Sequence, residues 1–314
     1  MSKTPKSVLV TGGAGFIGSH LVPRLLKSGH AVTVLDNLST GKMQNLTEVL
    51  DHPKFRFQRG DIRDKTFPRG VFDGVDSIIH LAALIDISAS VSDPVQNHEV
   101  NVNGTFNMLH AAVQHKVKKF VFASSTAVYG DVKTLPIQEN TALHPISPYA
   151  ASKATGEAYC SAFANCYGLE TAALRFFNIY GPRSENSPYS GVITKFLQKI
   201  VKGETLTIDG DGEQTRDFVY VSDVVAALVL SLEHDGLRDE VFNVCTGAPT
   251  SVNQLAAVLK TVTGKNPKVT HGPARLGDIR SSYGDPSKAS EILGFKANVD
   301  LAKGLLLLFE EYKK

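Results

Sequence analysis

A short apolar run, Ser7-Val-Leu-Val10, leads directly into Thr11-Gly12-Gly13-Ala14-Gly15-Phe16-Ile17-Gly18, and Leu21, Val22, Leu25 and Leu26 then recur at helical spacing. Strand, glycine turn and helix in that order leave a chain few folds to choose from. The backbone must bend tightly, and the first helical N–H groups then face whatever lies in the bend, with the positive end of the helix dipole behind them. A pyrophosphate meets that requirement. The stretch therefore predicts the opening unit of a parallel α/β sheet that holds a dinucleotide. Pro23 stands inside the helical pattern, where its missing N–H removes one backbone hydrogen bond.

The first half of the chain keeps this alternation. Residues 30–35 read as a second strand ending at Asp36, 18 residues beyond Gly18, about where an acid meets the adenosine ribose hydroxyls. A carboxylate there repels a 2′-phosphate, which favours NAD over NADP. Strands follow at 55–58, ending in Gly60-Asp61-Ile62, and at 77–81, ending in Ala82-Ala83, whose small side chains let backbone approach a ligand. His80, between Ile79 and Leu81, reads as a satisfied core histidine. Residues 95–115 are helical in pattern, with Val102, Phe106, Leu109 and Val113 on one face. Asn101 sits in that helix, where its amide either reaches inward or meets solvent. A strand at 120–125 ends at Ser125, in the crevice outside the carboxyl ends of the strands where doubly wound sheets bind ligands. Another spans 171–177 and leads into Asn178. This alternation predicts a Rossmann-type, doubly wound parallel sheet. Past it the alternation lapses. Residues 1–178 read as the dinucleotide domain, with 217–244 packing back onto it, and 179–314 as a smaller C-terminal α/β substrate domain.

Tyr149-Ala-Ala-Ser-Lys153 supplies chemistry. On a helix, residues four apart share a face, so the phenol and the ammonium are neighbours. A nearby cation pulls a phenol down from its ordinary pKa of about 10, toward a range useful for general acid–base catalysis. Arg216 and Arg275 carry guanidinium forks suited to phosphates, although either could equally be a surface arginine.

Composition narrows the function classes. The 314 residues carry a formal net charge of +2, without the basic footprint of a nucleic-acid binder. No run approaches the ~18 apolar residues of a membrane-spanning helix, and the polar start at residues 1–6 has no apolar signal core. Cys160, Cys166 and Cys245 lack metal-site spacing and leave an odd thiol, which fits a reduced, cytoplasmic setting and no bound metal.

Further motifs accompany these: Asp36-Asn-Leu-Ser-Thr-Gly41, Asn101-Val-Asn-Gly-Thr105, Ser124-Ser-Thr-Ala-Val-Tyr-Gly130, Ser147-Pro-Tyr-Ala-Ala-Ser-Lys153, Arg175-Phe-Phe-Asn178 and Arg216-Asp-Phe-Val-Tyr-Val221. In order and spacing the set resembles the extended short-chain dehydrogenase/reductase family, in particular its nucleotide-sugar epimerase/dehydratase group, over nearly the whole chain. The resemblance implies NAD as cofactor. Gly12, Gly15, Phe16, Ile17 and Gly18 would line its pyrophosphate, Asp36 and Asn37 its adenosine ribose, and Asp61 and Ile62 its adenine. Leu81, Ala82, Ala83, Asn101, Phe176, Tyr149 and Lys153 would flank the remainder. It implies Ser125, Tyr149 and Lys153 as the catalytic set, and a UDP-sugar held by Asn178, Val192, Arg216, Arg275, Asp278 and Ser282, with Ser125 and Tyr149 also touching it. In this family the helices at 95–115 and 149–167 commonly pair across a two-fold axis, so a homodimer is expected.

Within the group, relatives that eliminate water carry an Asp-Glu pair after the serine, and decarboxylating relatives carry a Glu. Here those positions are Thr126 and Ala127. Ala127 exchanges no proton, so the resemblance points to 4-epimerisation of a UDP-hexose through transient hydride transfer and a 4-keto sugar. The alternatives are a uronate 4-epimerase, a dehydratase or a C4 reductase. Outside catalysis stands an NAD-sensing regulator, which the intact Ser125–Tyr149–Lys153 set disfavours. Family members restricted to plain hexoses carry a bulky Tyr four residues after the Asp at position 278; a small residue there accompanies N-acetylhexosamines as well. Ser282 occupies that position, with Tyr283 next, so UDP-glucose/UDP-galactose and their N-acetyl counterparts are all expected substrates.

Overall fold

Side chains along a strand alternate between faces, and the first strand divides the core accordingly. In the computed structural model, which describes residues 5–184, 191–274 and 279–313, β1 (Ser7–Thr11) places Val8 and Val10 in one apolar cluster and Leu9 in another. The chain continues through α1 (Phe16–Lys27), β2 (Ala31–Asp36), β3 (Phe55–Arg59), β4 (Ser77–His80), α2 (Ile87–Ser92), α3 (Pro94–His98), α4 (Gly104–Gln114), β5 (Lys119–Ser125), α5 (Pro148–Tyr167) and β6 (Glu170–Phe176). Then come β7 (Asn178–Tyr180), α6 (Val192–Lys202), β8 (Leu206–Asp209), β9 (Thr215–Arg216), β10 (Phe218–Tyr220), α7 (Val221–Glu233) and β11 (Glu240–Val244). The remaining elements are β12 (Thr250–Ser251), α8 (Val252–Thr263), β13 (Val269–Gly272), β14 (Ser281–Ser282), α9 (Ser287–Leu293) and α10 (Leu301–Tyr312).

Seven strands form the central sheet in the order β11-β6-β5-β4-β1-β2-β3, with every pairing parallel. A parallel sheet needs both faces covered. Leu21 and Leu25 of α1 with Val224 and Leu228 of α7 cover one face. Met108 and Leu109 of α4 with Cys160 and Phe163 of α5 cover the other. This is the expected Rossmann-type, doubly wound sheet, with one addition. After β6 the chain builds a second lobe, then returns through α7 to add β11 at the edge; Ala289, Leu293 and Phe295 pack onto the same core. The second lobe has its own apolar cluster, including Phe196, Leu197, Leu206, Leu255, Leu259, Leu305 and Leu308, beside three small sheets. Among the described residues, no helix is long and apolar enough to cross a membrane.

Pro23 lies inside α1. Without an N–H it leaves the Ser19 carbonyl, four residues back, without its helical donor. That carbonyl accepts instead from the Arg183 guanidinium, at 2.9 Å. His20 Nε2 donates to the Pro182 carbonyl at 2.9 Å. The segment following β7 is thereby clasped to α1.

Candidate active site

The carboxyl ends of the strands meet along one edge of the sheet, and the glycine turn after β1 opens onto it. Gly12 has φ +68°, and a Cβ there would lie 2.8 Å from the Ala82 nitrogen. Only glycine suits that left-handed, crowded position. Gly18 packs α1 on the turn, since its Cβ would come within 2.5 Å of the Gly12 oxygen. Gly15 differs: its Cβ would meet only the Gly12 oxygen, at 3.2 Å. It starts α1 with no side-chain cap, so it offers no capping side chain to the first-turn donors of Phe16, Ile17 and Gly18. A dinucleotide pyrophosphate fits this bare helix start.

Asp36 ends β2, and burial pushes its carboxyl pKa up. One oxygen accepts from the Ala14 amide at 3.0 Å and the other from the Leu38 amide at 2.8 Å. Each retains a lone pair for a ribose hydroxyl. Asn37 donates to Asp61 at 2.7 Å, and Arg63 grips the same carboxylate with both arms of its fork, holding it well below the usual carboxylate range. The Ile62 side chain is turned into the core, against Gly104. Leu81, Ala82 and Ala83 are half-buried beyond β4.

Helix α5 starts where the sequence signals it. The Ser147 hydroxyl accepts from the Ala150 amide at 3.1 Å, Pro148 takes the first helical position, and Gly168 ends the helix in the left-handed conformation. Tyr149, Lys153 and Glu157 are buried at four-residue intervals along it. Ser125, in register with Phe176 across β5 and β6, meets this face: its hydroxyl is close enough to the Tyr149 phenol to lower its pKa, and it accepts from the Ala127 amide at 3.2 Å.

The direction of the Tyr149 shift is opposite to the sequence-based expectation. Burial raises the phenol's pKa, and the Ser125 hydroxyl only partly opposes it. The Lys153 ammonium donates to the Ala123 carbonyl at 2.7 Å and lies 4.9 Å from the Phe122 ring centre. Burial pushes Lys153 itself down to about 8, with the Glu157 charge pulling the other way.

Behind Lys153 lies a buried network with no role in the sequence reading. Glu157 accepts from Arg175 Nε at 2.9 Å and Nη2 at 2.6 Å, and from the Ser124 hydroxyl. Arg175 also donates to the Tyr129 hydroxyl at 2.8 Å, and Tyr129 donates to Asn243 of β11 at 2.7 Å. The i+4 spacing of Glu157 from Lys153 is the one local signal that could have found it.

Asn101 lies on a π-helical turn, Glu99–Asn103, that directs its amide inward. Its oxygen accepts from the Leu84 amide at 2.8 Å, while its nitrogen donates to the Leu84 carbonyl at 2.8 Å and the Ser152 hydroxyl at 3.0 Å. Ser152 in turn donates to the Tyr149 carbonyl at 2.7 Å. The Asn101 side chain thus tethers the 81–84 loop to α5.

In the second lobe, parallel pairing of β9 with β14 sets Ser282 opposite Arg216. The Arg216 guanidinium donates to the Ile279 carbonyl at 2.7 Å. Asn178 is exposed at the start of β7, and its amide donates to the Asp217 carbonyl. Val192 opens α6, half-buried. Asp217, given no role in the sequence reading beyond its place in a motif, is fully buried and accepts from Thr246 and Gly247. Arg275 and Asp278 lie outside the described residues. Among the described residues, no three His, Cys, Asp or Glu side chains group as metal ligands.

Residues 8–245 match the family described as NAD dependent epimerase/dehydratase. A protein named a putative UDP-glucose 4-epimerase, from Methanocaldococcus jannaschii, is 42% identical over 300 residues, 95% of each chain. The structure of a UDP-glucose 4-epimerase with UDP-glucose from Thermotoga maritima superposes with a TM-score of 0.90 at 40% identity, covering 98% of each chain. A UDP-N-acetylglucosamine 4-epimerase from Methanobrevibacter ruminantium, in complex with UDP-N-acetylmuramic acid, superposes with a TM-score of 0.93 at 38% identity, covering 99% of each.

Proposed function

Because the chain belongs to the NAD-dependent epimerase/dehydratase family, we propose that it is a UDP-hexose 4-epimerase, acting on UDP-glucose/UDP-galactose and on UDP-N-acetylglucosamine/UDP-N-acetylgalactosamine. One observation carries the reading. Ser125, Tyr149 and Lys153 come together at the end of β5, while the residue whose amide bonds Ser125 is Ala127. A proton-exchanging phenol with Thr126 and Ala127, not carboxylic acids, after Ser125 suits epimerisation and leaves dehydration and decarboxylation without their acid at those positions.

In this reading NAD, when bound, supplies a reversible hydride acceptor. The cofactor-binding set is the one expected from the sequence: the bare start of α1, Asp36 and Asn37, the 61–62 and 81–83 strand ends with Asn101 behind them, Phe176, and the Tyr149–Lys153 face. Tyr149 Oη takes the proton of the sugar's C4 hydroxyl and later returns it. Tyr149 acts from its phenolate form and becomes the phenol as it takes that proton, while Ser125, fixed by the Ala127 amide, orients the sugar's C4 oxygen and stabilises its charge by hydrogen bonding. Lys153 holds positive charge one helical turn away, offsetting the cost of a buried phenolate. Asn178, Val192, Arg216, Arg275 and Asp278 hold the nucleotide, and Ser282 walls the sugar's 2-substituent. Its small side chain leaves room for an acetamido group.

In this proposal residues 1–178 make the dinucleotide domain, with 217–244 packing back onto it, and 179–314 the substrate domain. The exposed apolar side chains Val91, Val95, Phe106 and Tyr167 on α2 to α5 support a homodimer built through those helices. The free thiols of Cys160, Cys166 and Cys245 suit a cytoplasmic enzyme.

The test is incubation of the purified protein, without added NAD, with UDP-galactose and separately with UDP-N-acetylgalactosamine. C4 epimers are expected from both. Dehydrated products, or no turnover of either sugar, would refute the reading.

A further inference from the structure

His80 is 1% exposed, yet both of its ring nitrogens have hydroxyl partners: Thr11 Oγ1 at 2.7 Å from Nδ1 and Thr105 Oγ1 at 3.1 Å from Nε2. The directions of these bonds follow from donor counts. The Thr105 hydroxyl lies 2.6 Å from the Asn101 carbonyl, which only accepts, so its one proton is committed there. Toward His80 it accepts, and Nε2 carries the proton. Thr11 Oγ1 accepts from the Ala82 amide at 3.3 Å, which leaves its own proton for Nδ1. The run closes without a mismatch: the Ala82 amide donates to Thr11, Thr11 to His80, His80 to Thr105, and Thr105 to the Asn101 carbonyl.

We propose that His80 is a positioning residue for the cofactor crevice, a neutral Nε2–H imidazole that fixes the Ala82 backbone at one end and the Asn101 turn at the other. Both ends matter to one ligand-facing loop, because the Asn101 amide grips Leu84 while Thr11 holds Ala82. The imidazole ties β1, β4 and the π-helical turn together inside the sheet, where an apolar side chain of the same size would only fill space. Neutrality is part of the design. The ring is fully buried with the Lys153 charge nearby, and these two influences, burial first, push its pKa down to about 3. A protonated ring would have no acceptor for an Nδ1 proton while Thr11 donates to it.

The proposal rests on the placement of Ala82 and Asn101 at the cofactor site given above. Nitrogen-15 NMR of the holoenzyme, with the His80 signal assigned by its loss in His80→Phe, should show a neutral Nε2–H tautomer that does not titrate between pH 8 and 5. An Nδ1–H tautomer, or an imidazolium within that range, overturns it. Exchange of bound NAD for deuterated NAD, followed by mass spectrometry, tests the consequence. His80→Phe and Thr105→Val should each exchange at least tenfold faster than wild type, with the Michaelis constant for UDP-sugar within about twofold, and Thr105→Ser should restore slow exchange. A merely structural histidine would lower the melting temperature and leave exchange unchanged in the folded protein; that result overturns the proposal. If His80→Phe does not fold, the Thr105 pair decides. Asn101→Ala separates the two levels: unchanged NAD exchange in that variant sinks the crevice assignment, and the proposal with it, even if the tautomer is as stated.

Discussion

Replacing Glu157 with Gln removes one negative charge from the buried stripe beneath Tyr149 while keeping the side chain's shape. Two effects follow, and they are separable. The first is on stability. Glu157 is 7% exposed and paired with Arg175 through both carboxylate oxygens, and breaking a buried pair from one side costs roughly 3–5 kcal/mol. Gln keeps an acceptor for Ser124 or Arg175, so the lower end is expected, a fall in melting temperature of about 5–10 °C. The second effect is on Lys153, whose pKa the Glu157 charge holds up against burial. At about 6 Å, the spacing of i,i+4 neighbours, and an effective dielectric of about 20, one unit charge contributes about 2.8 kcal/mol, or about two pH units. The other titratable groups beside Lys153 do not compensate. His80 is held neutral, and burial pushes the Cys160 thiol far up. If turnover needs the Lys153 ammonium, wild-type kcat declines as pH rises through about 8, and in Glu157→Gln the decline begins about two units lower. Stability responds with the opposite sign. Burying the charged lysine is unfavourable below about pH 8, and that penalty is relieved as pH rises from about 8 toward the unfolded value of 10.5. The assay is kcat from pH 5 to 10 on NAD-loaded protein, with calorimetry on the same samples. A variant that melts lower but keeps the wild-type alkaline limb would refute the electrostatic argument and reduce Glu157 to a structural pair.

Three further perturbations test the remaining assignments. Tyr149→Phe keeps the ring and removes the titrating oxygen, so kcat should fall by roughly 10²–10⁴ with NAD still bound; wild-type turnover would exclude the phenol as the base. Ser282→Tyr should cut kcat/KM for UDP-N-acetylgalactosamine by at least tenfold, about 1.4 kcal/mol, while nearly sparing UDP-galactose. Equal effects on both sugars would show that position 282 does not wall the 2-substituent. Asp36→Asn keeps acceptor and shape but removes the charge that opposes a 2′-phosphate. NAD should bind more weakly and discrimination against NADP should narrow, as measured by cofactor competition; an unchanged NAD/NADP ratio would place the selectivity elsewhere.

Features written in local sequence were legible before the structure. The glycine turn, the strand ends at Asp36 and Ser125, and the Ser147–Pro148 start of α5 each depend on neighbours within a turn or a strand. What the sequence did not disclose depends on residues far apart in the chain. The sequence reading packs 217–244 back against the first domain, but it does not show that five of those residues enter the sheet as the edge strand β11 after the second lobe has been built. Arg175 reaches Glu157, Tyr129 and, through Tyr129, Asn243 on three other parts of the chain. The Tyr149 phenol shows a related limit. Spacing correctly placed Lys153 on its face of the helix, but the balance between charge and burial depends on how many walls enclose the pair, and those come from several elements.

The clasp at Pro23 has a consequence for anyone seeking a hardier protein. A helix-interior proline is an obvious target for replacement by alanine, which ordinarily favours a helix by about 3 kcal/mol. Here the substitution would return an N–H that competes with Arg183 for the Ser19 carbonyl. The helix would become more self-sufficient and the segment that follows β7 would lose part of its anchor. A screen scored on melting temperature alone would favour that variant, at the expense of the grip between the start of the second lobe and the helix that follows the glycine turn.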